Sequence, residues 1–229
     1  MNHERVQLEP AWLLSAKPYS ETSLLLEAFS ERHGRVGLVA KGARGPKSRT
    51  RALLQPLRPL LLSWTQRGEL AAMTGVEANG LVPELTGERL FYGWYLNELL
   101  LRLLHRQDPH PDAWRAYVET LAALPGPEAE FALRLFEKRL LADIGYGLDF
   151  PEHIDPALSY GYSEAEGFVP DVRGPCSGRA LLALRDEQPA GEGEWRTELR
   201  RLMRERVRRQ LGGRELETAK LLRQLRARV

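Results

Sequence analysis

Apolar residues in the first eighty positions recur in short runs. The runs are Ala11–Ala16, Ser23–Phe29, Arg35–Ala40, Leu57–Trp64 and Glu69–Val76. Lys17-Pro18-Tyr19-Ser20, Arg32-His33-Gly34 and Gln66-Arg67-Gly68 interrupt them. Short apolar runs bounded by Gly, Pro and Ser predict β-strands. Five strands in about 75 residues favour a small closed barrel, since closure leaves no unpaired edge. The oligonucleotide/oligosaccharide-binding (OB) barrel is the five-stranded form that fits. An SH3-like barrel gives a similar spacing and stays open as an alternative.

The period changes near Pro83. Between Glu88 and Gln107 the apolar positions Leu90, Phe91, Trp94, Tyr95, Leu99, Leu103 and Leu104 form a wide helical stripe, which predicts a central helix. Asp108-Pro109-His110-Pro111 should stop it, because proline lacks an N–H and restricts its predecessor. Further helices are predicted over Asp112–Leu124, Glu128–Ile144, Ser177–Glu187, Glu194–Gln210 and Glu215–Ala227. Gly145 is placed as a left-handed C-terminal cap and Ser177 as an N-cap. A hairpin turning at Glu166-Gly167 fits within Leu158–Val172. The outline is an α+β chain: a barrel over residues 1–80, then a helical domain over 81–229 with a small irregular insertion near 150–175.

Net charge is only +2, but its distribution is uneven. Residues 31–58 carry Arg32, Arg35, Lys41, Arg44, Lys47, Arg49, Arg51 and Arg58 against Glu31 alone. Residues 196–229 carry twelve basic and four acidic side chains, whereas 59–195 carry eleven basic and twenty-two acidic. Two basic segments flanking an acidic middle point to an anionic partner. Glycines in the first segment leave backbone N–H groups open as well. The single cysteine, Cys176, excludes an internal disulfide and fits a reducing cytoplasm. No apolar run approaches the roughly 20 residues of a membrane helix, and MNHERVQLEP has no signal-peptide core.

Lys47-Ser48 resembles the end of a phosphate-binding loop, yet that motif needs glycine directly before the lysine and again five residues earlier. Pro46 and Lys41 stand there instead. His3, His33, His105, His110 and His153 are scattered, and Cys176 has no neighbouring cysteine, so no zinc ligand spacing is present. No G-x-S-x-G elbow occurs. Catalytic residues, metal and cofactor are therefore not assigned.

The basic loop carries the remaining chemistry. Lysine and arginine neutralise phosphates without choosing sequence. Tyr19, Phe29 and Trp64 are candidates for stacking on unpaired bases, although barrel strands bury such residues more often than they expose them.

Several stretches, taken in order, resemble the RecO family of bacterial DNA repair and recombination mediator proteins. They are KPYSETSLLLEAFSERHGRVGLVAKGAR (17–44), ALLQPLRPLLLSWTQRGEL (52–70), YLNELLLRLL (95–104), LRLFEKRLLADIGYGLDF (133–150) and LGGRELETAKLLRQL (211–225). The resemblance implies an OB-fold domain followed by helices. It implies a non-catalytic protein that binds single- and double-stranded DNA and anneals complementary strands. Its implied partners are RecR, the acidic and apolar C-terminal tail of single-strand-binding protein and, functionally, the RecA recombinase. The implied setting is the bacterial cytoplasm at the nucleoid, away from membranes. The family's basic barrel segment falls on Arg32, Arg35, Lys41, Arg44, Lys47, Arg49 and Arg51, with Lys220 and Arg223 as a second surface. Some members hold zinc through a cysteine set; Cys176 alone cannot supply one. For the peptide tail, Arg134, Lys138 and Arg139 beside Leu133 and Leu141 offer the required charge and apolar surface. The competing readings are a scaffold whose acidic middle binds a basic partner, and a nuclease or ligase that lacks a carboxylate cluster to support it.

Overall fold

The computed structural model describes residues 4–66, 68–191 and 193–226. By compactness the chain divides into two units. The first runs to Arg115 and takes in the segment from Leu216 onward; the second is Ala116–Glu215.

The first unit is built on five strands: β1 (Glu4–Tyr19), β2 (Ser23–Ser30), β3 (Gly34–Ala40), β4 (Pro59–Gln66) and β5 (Ala71–Ala78). They close in the order β1-β2-β3-β5-β4, and β1 pairs β4 as well as β2. Every pairing is antiparallel except β3–β5. This is a five-stranded OB-type barrel, and the chain is of the α+β class. Alternate residues fill the interior: Leu24, Leu26 and Ala28 from β2, Val36, Leu38 and Ala40 from β3, and Leu60, Leu62 and Trp64 from β4.

β1 extends further than its apolar run, because Glu4–Pro10 also pairs with β4. Serving two neighbours requires it to bend. Register shifts fall between Val6 and Glu9 against β4, and between Leu13 and Ser15 against β2. Bulges of this kind bend and twist a strand. At the second shift the Leu14 carbonyl accepts a hydrogen bond from buried Asn97 Nδ2 at 2.9 Å. That contact fixes helix α1 (Glu88–Leu103) to the barrel.

α1 ends at Leu103, short of Gln107 and well before Pro109. The Arg35 guanidinium on β3 donates to the carbonyls of Leu101 and Leu104 at 2.7 and 2.9 Å, a cation on the helix C-terminus. The chain then turns extended and bridges to β3, with Gln107 N–H donating to the Arg35 carbonyl at 2.8 Å. A tertiary contact, not proline, sets this end. α6 (Glu217–Arg226) begins two residues later than its pattern suggests. Glu98 of α1 accepts from the Glu217 and Thr218 N–H groups at 3.0 Å each and caps it there. Ala227, its expected end, lies outside the described residues, as does Arg67 of the third predicted turn.

α2 (Pro111–Ala123) leads into the second unit, which continues with α3 (Ala129–Asp143), a small sheet, α4 (Gly178–Asp186) and α5 (Trp195–Gln210). Gly145 takes φ 86° after α3, as expected of a left-handed cap. Ser177 caps α4, its hydroxyl accepting from Ala180 N–H at 3.3 Å. The expected hairpin is β6 (Ser159–Ser163) with β7 (Gly167–Pro170), and a third strand, β8 (Cys176–Ser177), pairs with β6. Two residues are too few to show periodicity.

Gly34 enters β3 at φ 64°, and a Cβ there would lie 1.8 Å from the Asp108 carbonyl oxygen. Backbone cannot yield as a flexible side chain does. Gly34→Ala should therefore destabilise the protein by more than about 2 kcal/mol. Urea denaturation checks this; an unchanged midpoint would mean that the 104–109 segment is free to move off the barrel.

Candidate nucleic-acid interface

The seven basic residues predicted on the barrel separate into two groups. Arg32 and Arg35 are tied to carboxylates of the barrel itself. Fully buried Glu9 accepts from Ser30 Oγ at 3.0 Å, Arg32 N–H at 2.9 Å and Arg32 Nε at 2.8 Å. The Arg32 side chain remains largely exposed beyond this contact. Arg35 is mostly covered: its Nε donates to Glu27 at 2.9 Å while its Nη1 holds the α1 carbonyls. Glu27 also pairs with Arg106, whose guanidinium lies over Gly37. Arg106 did not stand out in the sequence, where it falls inside the predicted helix Glu88–Gln107 and outside the two basic segments.

Lys41, Arg44, Lys47, Arg49 and Arg51 form the other group. All are exposed on the loop between β3 and β4. Among the described residues no carboxylate lies within ion-pair distance of any of them. The loop is shaped from within. Gly42 adopts φ 70°, Gly45 N–H donates to the Gly42 carbonyl at 3.0 Å, and Ser48 N–H to that of Gly45 at 3.0 Å. Arg44 N–H donates to Thr22 O at 2.8 Å and its Nη1 to Ser20 O at 3.2 Å, which fastens the loop to the β1–β2 turn. Arg51 N–H donates to Ser48 Oγ at 3.2 Å. The Gly45 amide is therefore engaged within the loop and not open to a phosphate; the side chains present the charge. Ala43 and Leu54 of the same loop are buried in the barrel core, so the cations stand on an anchored base.

Of the aromatic candidates, Phe29 and Trp64 are buried, and Phe29 packs edge-on against Trp114. Tyr19 is 45% exposed at the β1–β2 turn, next to the Ser20 carbonyl that holds Arg44. Lys17, in the same turn region, is exposed and adds a cation read earlier only as part of a strand break. Lys220 and Arg223 are exposed on α6.

In the second unit Leu133 and Leu141 are buried, and the three cations near them are engaged. Arg134 pairs with buried Glu137 at 2.8 Å. Lys138 Nζ donates to the carbonyls of Leu184 and Arg185 and to Glu187. Arg139 pairs with Glu187 and Glu119. The Arg139 guanidinium holds the Glu187 carboxyl below its ordinary range, against the opposing effect of burial, with help from Lys138. On α5, Arg196, Arg200, Arg206 and Arg209 meet Glu128, Glu130 and Glu164, whereas Arg201, Arg204 and Arg208 are exposed. Among the described residues no group of three or more His, Cys, Asp or Glu is arranged to hold a metal ion. No helix among them is long and apolar enough to cross a membrane.

Burial pushes the Cys176 thiol up to about 12, and the Glu198 carboxylate adds to this. A thiol that stays protonated is a poor nucleophile. Cys176 should resist alkylation in the folded protein at pH 8 and react rapidly in urea, as mass spectrometry would record; equal rates would contradict its burial. Burial raises the Glu27 carboxyl, but hydrogen bonds and charge from Arg106 and Arg35 outweigh it, leaving the group below its ordinary 4.5. Such a carboxyl adds stability that is complete above about 4.5 and is lost as pH falls through the folded value. Glu27→Gln should cost about 3 kcal/mol at pH 7. The gap from wild type should begin to narrow as pH drops below about 4.5, where the unfolded carboxyl protonates, and close as pH falls through the lower folded value, where the native carboxyl also becomes neutral. Thermal melts across pH 3–7 measure this, and a gap independent of pH would remove Glu27 ionisation as the cause.

Comparison with known proteins bears on the whole chain. The model for the family part described as Recombination protein O N terminal matches residues 5–81, and that for Recombination protein O C terminal matches residues 84–220. A DNA repair protein RecO from Methylococcus capsulatus is 46% identical over 230 residues, covering 96% of this chain and 94% of the relative. One from Coxiella burnetii is 42% identical over 229 residues, covering 96% and 99%. One from Alkalilimnicola ehrlichii is 43% identical over 237 residues, covering 98% and 94%. A barrel bearing an unpaired cationic loop, followed by helices and matched over 96–98% of its length by these relatives, places the chain in the RecO family of DNA repair proteins.

Proposed function

We propose that this protein is a non-catalytic recombination mediator. It binds single- and double-stranded DNA through phosphates, anneals complementary strands and, with a RecR partner, helps load RecA recombinase onto DNA coated by single-strand-binding protein. Its place is the cytoplasm, at the nucleoid. The observation carrying this reading is the exposed set Lys41, Arg44, Lys47, Arg49 and Arg51, held on one anchored loop with no carboxylate of the described residues in reach. Charges left unneutralised within the fold are available to displace counterions from a polyanion. Lys220 and Arg223 belong to the proposed surface as exposed cations of the same unit. The acidic tail of single-strand-binding protein is a proposed partner. Docking on α3 at Leu133, Arg134, Lys138, Arg139 and Leu141 would require Lys138 and Arg139 to leave Glu187.

The scaffold alternative has less support. Glu128, Glu130, Glu137, Glu164 and Glu187 are each met by a lysine or arginine of their own unit, which leaves less free negative charge for a basic partner.

Replacing Lys41, Arg44 and Lys47 together with alanine should weaken binding to single strands. It should flatten the plot of log affinity against log salt by about 2, since each phosphate contact contributes roughly 0.7. Fluorescence anisotropy over a salt series reads this, and an unchanged slope removes the loop from the interface. Annealing of complementary strands coated with single-strand-binding protein should depend on that protein's acidic tail. Equal rates without the tail would reduce the mediator to a general DNA binder, and magnesium-dependent turnover of labelled DNA would make it an enzyme.

A further inference from the structure

A cleft of about 410 Å³ opens at the end of the barrel where the cationic loop meets β1 and β2. Ligand cavities commonly measure about 300–1,000 Å³ and combine apolar walls with a few polar groups. Here the apolar part comes from Leu24 and Leu54, which belong to the barrel core, and from Pro18. The polar part is Arg44, Arg51 and Gln55. The Arg44 guanidinium and the Arg51 backbone are set in place before any ligand arrives. Arg44 is bound to the Ser20 and Thr22 carbonyls, and the Arg51 backbone is held by Ser48, whose hydroxyl lies 3.3 Å from that of Thr50.

We propose that this cleft seats one unpaired nucleobase of a bound strand, its neighbouring phosphate on Arg44 and Arg51 and its edge against the Gln55 amide. Resting on the reading of the loop as a phosphate surface, this assigns discrimination to a different part of that surface. An apolar slot with an amide at its rim suits a flat ring whose edge carries donors and acceptors. Lys41, Lys47 and Arg49 extend the positive charge along the same loop for the adjoining phosphates. Phosphate contacts alone treat single and double strands alike, apart from charge density. A base inside a duplex is stacked and paired, so only a single strand, a frayed end or a mismatch fills the slot without first being opened. The cleft therefore makes the protein favour unpaired DNA while the outer cations tolerate duplex, a combination suited to holding a strand until its complement arrives.

The test uses the full chain and two strands of equal phosphate number, an oligothymidylate of about 15 residues and a strand of the same length that is abasic throughout. Wild-type protein should bind the abasic strand at least about fivefold more weakly, given the usual contribution of a seated base, with the same salt slope. Ala16 lines the cleft, and Ala16→Phe should lower oligothymidylate affinity to the abasic level without altering abasic binding. If thermal melting shows that variant to be unfolded, Gln55→Trp, at an exposed position on the rim, blocks the same space. Equal affinity of wild type for both strands, with the slope intact, overturns the base seat and leaves the phosphate surface standing. Failure to bind either strand overturns the phosphate surface itself, and the base seat with it. Base dependence that both blocking variants retain places the base contact outside the cleft and overturns the proposal.

Discussion

Glu27 holds two guanidiniums from different parts of the chain, and much of the first unit is arranged around that carboxylate. It lies on the outer face of β2, opposite Gly37 in the neighbouring strand. A lone carboxylate there would be costly to cover. Arg35 and Arg106 compensate it, and each then does a second task. Arg35 reaches on to the last carbonyls of α1 and ends the helix. Arg106 brings the segment after that helix onto β3, where its guanidinium lies in the space beside Gly37. Helix end, crossing segment and barrel wall are thus joined by one charge cluster, most of it shielded from solvent.

That cluster also covers part of the barrel wall. OB barrels commonly bind strands on the face of β2 and β3 and on the adjoining loops. Here Arg106 and Asp108 approach Gly37 and Gly34, while Trp114 packs on Phe29, so the chain covers this face itself. What stays open is the barrel end, with the β1–β2 turn and the loop after β3. That loop carries cations with no carboxylate of the described residues in ion-pair distance, whereas the nearest arginines on the covered face serve the fold. Being basic did not distinguish these groups; the presence or absence of a neighbouring carboxylate does.

The sequence shows local features well and distant pairings poorly. The strand runs, the Gly145 and Ser177 caps and the Glu166-Gly167 turn depend on residues within a few positions of one another, so their patterns could be read directly. The end of α1 could not, because its cause, Arg35, lies 66 residues before the Leu101 carbonyl it binds. The same applies to Glu98 capping α6 across 119 residues and to Asn97 holding the β1 bulge across 83. At the candidate site, the loop from Lys41 to Arg51 was visible as charge among glycines. The engagement of Arg35 and the role of Lys17 depended on tertiary placement, and that of the Gly45 amide on the loop's own turn.

Charge segregation along the chain behaves differently in the two units. In the second, α5 supplies arginines and residues 128–164 supply the acids that meet several of them, so part of the basic tail and the acidic middle compensate each other. Arg206 goes furthest: it is nearly buried, pairs with Glu164 at 2.5 Å and stacks on Tyr162 with its guanidinium carbon 4.1 Å from the ring centre. Such pairing adds little to the field outside the protein, since opposite charges a few ångströms apart cancel over distances beyond a Debye length of roughly 8–10 Å. The loop after β3 has no such compensation among the described residues. A near-neutral protein can therefore present a local positive field strong enough to attract a polyanion, because attraction depends on which charges are left unpaired and not on their total.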